Sequence, residues 1–133
     1  MHRSLKLTFT TLAVIALGLP AIAAAQGSFT VDPVAAKRGK TVWQNSGCMI
    51  CHNIGVGQGA GPDLAGIHER RTIEWLTSFL KNTTEMLQTD PIAQALLVQY
   101  RNIKMPQVLH NDRDINAVLH YIAERSAKTN FRP

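Results

Sequence analysis

Five consecutive residues, Cys48-Met49-Ile50-Cys51-His52, decide the fold, because they hold both cysteines of the 133-residue chain and place a histidine directly after the second. Two cysteines separated by two residues also occur in redox-active disulfides of the thioredoxin type, where the pair lies between a strand and a helix. After residue 25 the chain has no sustained alternation of apolar and polar residues. The signs of such a strand are therefore missing, and the disulfide interpretation is disfavoured.

The same spacing suits covalent attachment of a haem. Two thiols at this separation can add to the two vinyl groups of one porphyrin, while the histidine that follows is carried under the iron. Cys48, Cys51 and His52 meet these three demands. We therefore predict one covalent c-type haem, with His52 as a ligand of its iron.

Residues 1–25 have the pattern of a secretory signal peptide. Two basic residues are followed by an apolar run, and the segment ends in three alanines that suit a signal peptidase. We predict cleavage after Ala25, export to the periplasm and a single mature domain of residues 26–133. The alternative is a retained membrane anchor, since the segment approaches the length needed to cross a bilayer, although Pro20 interrupts it.

The charge of the chain does not favour a nucleic-acid partner. The net charge is +5, and loss of Arg3 and Lys6 with the signal segment leaves 12 basic and 9 acidic residues, a net charge of +3. Nucleic-acid binding requires a clustered basic stripe. The short pairs Lys37-Arg38 and Arg70-Arg71 do not form one, and we expect no nucleic-acid partner.

Four segments have helical periodicity and a start signal such as Asp-Pro or an N-capping residue. Residues 53–71 and 102–110 read as irregular, and the first of these is rich in glycine. Loops of this length need something to organise them. The predicted helices run from Asp32-Pro33 to Ser46-Gly47, from Thr72 to about Leu80, from Asp90-Pro91 to Asn102, and from Asn111 or Asp112 to about Arg125.

From Asp32 to about Arg125 the sequence resembles a class I c-type cytochrome. In that family a glycine and an aromatic residue precede the haem motif, and an aromatic on the last helix packs against them; Gly39, Trp43 and Tyr121 match. The resemblance implies an all-α fold of about four to five short helices, with glycine-rich loops wrapped around one covalent haem c.

The segment Gly61-Pro62-Asp63-Leu64-Ala65-Gly66 resembles a second motif of the family, Gly-Pro-x-Leu-x-Gly. There the proline carbonyl accepts the N–H of the proximal imidazole. Such a contact fixes the tautomer of the ring and tunes the metal. The resemblance thus implies a haem-binding role for Pro62, although Gly-Pro pairs are also common in ordinary turns.

The residues leave several candidates for the sixth ligand of iron. Met49 lies inside the haem motif, and His120 lies on the last predicted helix. His68 closely follows the Gly-Pro segment of residues 61–66, here called the proximal loop. Met86 precedes Asp90-Pro91 and is predicted to lie in a connection between helices. Lys104-Met105-Pro106 resembles the distal Met-Pro of the family, and the resemblance implies Met105 as the ligand, with His110 as its main rival.

Residues 72–101 are an insertion relative to the smallest members of the family. Their sequence, from Glu74-Trp75-Leu76 to Asp90-Pro91-Ile92-Ala93, resembles cytochrome domains that accompany respiratory enzymes such as nitrous oxide reductase. Trp75 and Tyr100 fit either the core or contacts with the haem propionates.

With histidine and methionine on the two sides of iron, no position is open to a substrate, and the resemblance implies electron transfer without catalytic residues. The expected partners are redox proteins, either respiratory complexes or a periplasmic oxidoreductase. Association with a membrane is expected only if the signal segment stays uncleaved. Two alternatives remain. The chain could be the haem subunit of a larger dehydrogenase or reductase, or a small haem peroxidase with an open distal position.

Overall fold

The computed structural model describes residues 29–129, which form six α-helices, one short 3-10 turn at Cys48–Ile50 and no strand. This confirms the all-α class. The predicted signal peptide of residues 1–25 and the start of the mature domain at residue 26 lie outside the described residues. The helices are α1 (Pro33–Asn45), α2 (Ile67–Arg70), α3 (Ile73–Lys81), α4 (Thr83–Thr89), α5 (Pro91–Gln99) and α6 (Asp112–Ala127).

The capping residues seen in the sequence begin four of these helices. The Asp32 carboxylate accepts from the backbone N–H groups of Val34 and Ala35, 2.8 and 3.2 Å away. Thr72, Asp90 and Asn111 cap α3, α5 and α6 in the same way, each accepting from the N–H three residues ahead. These side chains satisfy N–H groups that the helix itself leaves unpaired, and they confirm the predicted starts.

Helices α1 and α6 cross in direct backbone contact at Gly39. A Cβ at this position would overlap the carbonyl of Ala117 and lie 2.8 Å from Cβ of Tyr121. Beyond the crossing, the rings of Trp43 and Tyr121 pack with centroids 6.0 Å apart. The absence of a side chain at Gly39 is therefore what allows the two helices to approach so closely.

The hydrophobic core lies on the inner face of α6. Ile115 is fully buried, and Val118, Leu119 and Ile122 follow it at helical spacing on the same face. Trp43 from α1, Leu76 from α3 and Leu109 from the loop before α6 pack against this stripe. The core thus joins the first and last helices to the inserted segment.

Two helices differ from the sequence prediction. The single turn α2 lies in the stretch predicted to be irregular, and α4 occupies the place expected to be a connection between helices, so that Met86 lies within a helix. Helix α4 contains three threonines, whose branched side chains disfavour helices, and Asn82 provides no side-chain cap. Local signals therefore do not reveal it, and contacts with the rest of the protein must hold it.

Helix α5 is the most apolar of the helices, with no charged residue between Pro91 and Gln99. Ala93 is buried, whereas Ile92 and Val98 are exposed. At nine residues the helix is far shorter than a bilayer requires. Within residues 29–129 no helix combines the length and the apolar character that spanning a membrane demands.

The crossing at Gly39 gives a direct test of the fold. We expect Gly39→Ala to lower the free energy of unfolding by about 2 kcal/mol or more, because the new methyl group forces the backbones of α1 and α6 apart. Lys40→Ala is the matched control, since Lys40 is exposed on the same helix. Denaturation of both variants in guanidinium measures the effect, and a Gly39→Ala protein as stable as the parent would contradict the contact.

Candidate haem site

One large apolar cavity opens between the end of α1, the inner faces of α3, α5 and α6, and the loops that join them. Its volume is about 460 Å³. Six of the seven residues in the buried core also form its walls: Trp43, Leu76, Leu109, Val118, Leu119 and Ile122. Trp75 and Tyr100, for which the sequence left two roles open, line the same cavity.

All five residues predicted to bind the haem line this cavity. Cys48 begins the 3-10 turn after α1, and Cys51 and His52 directly follow that turn. The N–H of His52 donates to the carbonyl of Cys48 at 3.0 Å. Pro62 comes from the glycine-rich loop and Met105 from the irregular segment before α6. The structure therefore brings the segment of Met105 to the same cavity as the haem motif and Pro62, which lie more than 40 residues earlier in the chain.

The imidazole of His52 is held by a hydrogen bond between Nδ1 and the backbone of Pro62. Nδ1 lies 2.9 Å from the carbonyl oxygen of Pro62, and since a carbonyl can only accept, Nδ1 carries the proton. In the neutral ring this tautomer leaves the lone pair on Nε2, which is the nitrogen that would bind a metal. Gly61 allows this approach, because a Cβ there would lie 2.6 Å from Cε1 of the ring.

The loop that carries Pro62 is organised by the carboxylate of Asp63. Its oxygens accept from the backbone N–H groups of Gly55, Gly57 and Ala65 at 2.7 to 3.0 Å. Burial raises the pKa of this carboxyl, but the hydrogen bonds from Gly55, Ala65, Gly57 and Val56 outweigh it and leave the pKa below its usual value. The charged form of Asp63 therefore holds the glycine-rich loop in place.

The two thiols are unpaired, and they do not have the character of a redox-active disulfide. Burial raises the pKa of the Cys48 thiol, against a smaller opposing effect of its own backbone N–H. A disulfide oxidoreductase requires the opposite, a nucleophilic cysteine whose pKa is lowered. Together with the lack of strands in residues 29–129, this disfavours the thioredoxin-type alternative.

Met105 is the candidate sulfur ligand, because it lines the same cavity as His52. Met86, His110, His68, His120 and Met49 are not among the residues that line the cavity. His68 and His120 both pack near the Phe29 ring, with centroids 6.0 and 4.6 Å from it. Nδ1 of His120 accepts the N–H of Asp32 at 3.1 Å, which ties α6 to the start of α1.

The chemistry of the cavity fits a haem. Its walls are almost entirely apolar, as a macrocycle requires, and the two thiols and His52 lie together at one side. Trp75 lines the cavity, and the Arg71 guanidinium lies 5.7 Å over the ring of Trp75. Its buried Nε has no hydrogen-bond partner within the described residues. An unpaired guanidinium N–H beside the cavity suits a group that carries carboxylates.

Several supporting residues were not predicted from the sequence. Arg70 donates from Nη2 to the carbonyl of Asp63 at 2.9 Å, and Ser126 accepts the N–H of Gly66 at 3.0 Å, so that α2 and α6 both hold the proximal loop. Asp63 carried a visible signal, since an aspartate within a glycine-rich loop commonly accepts from nearby backbone N–H groups. Ser126 carried none, because its partner is 60 residues away.

Comparisons with known proteins agree on the fold. A family model for cytochrome c matches residues 36–126. A search of curated proteins gave no significant match. Among solved structures, the cytochrome c of Rhodothermus marinus is similar, with a TM-score of 0.68 and 22% identity over 75% of this chain and 84% of that one. An engineered form of that cytochrome, bound to a carbene intermediate, has a TM-score of 0.63 and 22% identity over 74% and 82%.

The Asp63 network predicts a pH-dependent stability difference. Because the folded-state pKa is lowered, the charged carboxylate stabilises the fold above about pH 4, and this contribution is lost as the pH falls through the folded-state pKa. Asp63→Asn should be less stable than the parent by about 1 kcal/mol at pH 7, an estimate reduced for solvent screening. The difference should shrink below pH 4. Denaturation across pH measures it, and parallel curves for the two proteins would contradict the network.

Proposed function

The chain belongs to the cytochrome c family, and from this premise we propose that it is a periplasmic one-electron carrier with His52 and Met105 as the axial ligands of iron. The family is one of electron-transfer haem proteins with covalent haem c, and Cys48 and Cys51 hold the positions of attachment. The proposal adds the two ligands, the role of Pro62 and the cellular location.

One observation carries this proposal: His52 and Met105 line the same cavity, and none of the other candidate ligands does. When bound, the haem supplies one-electron exchange between the ferrous and ferric states of its iron. A protein that occupies both axial positions leaves no position for substrate or peroxide, which favours a carrier over a peroxidase.

The residues around the metal set its properties. Pro62 accepts the Nδ1 proton of His52, which fixes the ring and raises the basicity of Nε2. The thioether of Met105 is a soft, weakly donating ligand, which favours the ferrous state and raises the reduction potential relative to a second histidine. The apolar walls keep water away from both ligands.

Electron exchange requires a partner to approach the edge of the haem near Cys48 and Cys51. Ile50 lines the cavity and is 81% exposed, and Met49 beside it is 57% exposed. Exposed apolar side chains at the mouth of a redox site suit a small, transient contact. The resemblance of residues 74–93 to domains that accompany respiratory enzymes supports a respiratory complex or periplasmic oxidoreductase as that partner.

The periplasmic location rests on the signal-peptide pattern of residues 1–25. Export places the chain where covalent haem carriers meet periplasmic redox enzymes. Expression of the full chain with haem-attachment machinery, followed by fractionation and mass analysis, tests this part. A periplasmic holoprotein that begins at Gln26 supports the proposal, whereas an uncleaved chain in the membrane fraction would replace it with an anchored cytochrome.

The ligand assignment predicts a specific spectral change. In the ferric holoprotein, the near-infrared charge-transfer band from methionine to iron should be lost in Met105→Ala, because the thioether proposed to bind the iron is removed. The reduction potential should fall as well. Met86→Ala is the matched control, since Met86 does not line the cavity, and it should keep the band.

The same series addresses the remaining alternatives. A band that survives in Met105→Ala would show the assignment to be wrong, and its loss in Met86→Ala would transfer the role to Met86. A parent protein that has no such band, and loses its low-spin spectrum in His110→Ala, would make His110 the ligand. A pyridine haemochrome spectrum of c type on the same samples tests attachment through both cysteines.

A further inference from the structure

We propose that Gln107 positions the distal ligand by fastening the loop that carries Met105 to the junction of α3 and α4. This inference rests on the proposed function, because it concerns the contact between Met105 and iron. It also gives the inserted residues 72–101 a role beyond lining the cavity.

The side chain of Gln107 spans from the loop to the junction. Its Oε1 accepts the N–H of Thr83 at 2.6 Å, and its Nε2 donates to the carbonyls of Leu80 and Leu109 at 2.8 and 2.7 Å. Both N–H groups and the carbonyl of the amide are therefore in use. Leu80 lies in the last turn of α3 and Thr83 begins α4, so one side chain joins both helices to the loop.

The contact with Thr83 supplies what the sequence of α4 lacks. Asn82 occupies the N-cap position of α4, but its side chain makes no capping hydrogen bond. The first N–H of the helix, that of Thr83, is satisfied instead by Gln107, 24 residues further along the chain. A helix start without a local cap depends on such a partner. Gln107 and α4 thus stabilise each other.

The junction is a firm anchor. Thr83 is 1% exposed, and its hydroxyl donates to the carbonyl of Phe79 at 2.7 Å. Phe79 stacks on Trp75 with nearly parallel rings, and both side chains line the cavity. A group tied to this junction is therefore tied to the wall of the site.

The loop itself has little else to fix its backbone. In the part of the chain that the structure describes, residues 104–110 make no backbone-to-backbone hydrogen bond. The side chain of Leu109 is buried in the core, but Met105 lies four residues before it, and Lys104 and Pro106 beside it are exposed. Before Met105, the N–H of Ile103 donates to the carbonyl of Tyr100 at 3.0 Å, and after Met105 the side chain of Gln107 makes the first hydrogen bonds of the loop within the described residues. Without Gln107, the loop has fewer constraints on its distance from the cavity.

Imidazole binding to the ferric holoprotein measures this effect, since an external ligand binds iron only when Met105 is displaced. The apparent dissociation constant equals the intrinsic constant divided by the fraction of protein in the open state. Gln107→Leu removes all three hydrogen bonds and should raise that fraction. We expect imidazole to bind about tenfold more tightly, equivalent to about 1.4 kcal/mol, with a weaker methionine-to-iron band.

A second variant guards against a failure of Gln107→Leu to fold. Gln107→Glu keeps the acceptor for the N–H of Thr83 but has no N–H for Leu80 and Leu109 at neutral pH. It should also bind imidazole more tightly than the parent. If Gln107→Leu does not retain haem, the result for Gln107→Glu decides.

Two controls separate positioning from general stability. Gln44→Leu makes the same substitution on the exposed face of α1. Arg38→Ala removes the ion pair with Asp114 between α1 and α6, whose Nε–Oδ1 distance is 3.0 Å, and lowers stability away from the cavity. Both should leave imidazole affinity within twofold of the parent, whereas a tenfold change in Arg38→Ala would overturn the positioning role.

Met105→Ala in the same assay distinguishes this inference from the function on which it rests. If Met105→Ala binds imidazole more tightly and the Gln107 variants differ from the parent by less than threefold, the inference about Gln107 fails and the ligand assignment stands. If Met105→Ala binds imidazole as the parent does, the ligand assignment itself fails.

Discussion

The direct backbone contact between α1 and α6 at Gly39 is the constraint on which the site depends. The last turn of α1 leads within three residues to Cys48, and α6 supplies a continuous wall of the cavity. Because no side chain separates the helices at the crossing, the position of the thiols relative to that wall is fixed by backbone contact. The ring pair Trp43 and Tyr121 then closes the space beyond the crossing.

The cavity and the hydrophobic core are built from the same side chains. Six residues of the core cluster, among them Trp43 and Leu76, pack against one another and also line the cavity. A domain of about a hundred residues buries a limited fraction of its apolar surface on folding. In a family that binds its haem covalently, the macrocycle would pack against these side chains, and the attached haem would contribute to the stability of the fold.

The features that could be predicted from the sequence are those that depend on residues close together in the chain. The caps at Asp32 and Asp90 set helix starts correctly, and the haem motif could be read because its chemistry is encoded in five consecutive positions. Helix α4 was missed because its cap comes from Gln107 rather than from Asn82. Contacts between residues far apart in the chain leave no local pattern. The ligand assignments stay predictions that the spectra of the holoprotein will test, and the location stays a prediction because residues 1–25 lie outside the described residues.

The arrangement of the proximal loop has a consequence for the movement of atoms during electron exchange. The carboxylate of Asp63 accepts hydrogen bonds from backbone N–H groups, and the carbonyl of Pro62 beside it accepts from His52. The hydroxyl of Ser126 on α6 accepts the N–H of Gly66 at the end of the same loop. Most of these contacts involve the backbone, which rearranges less readily than exposed side chains. A proximal loop held in this way would let the charge on a bound haem iron change with little movement of the surrounding atoms, which would keep the reorganisation energy of electron transfer small.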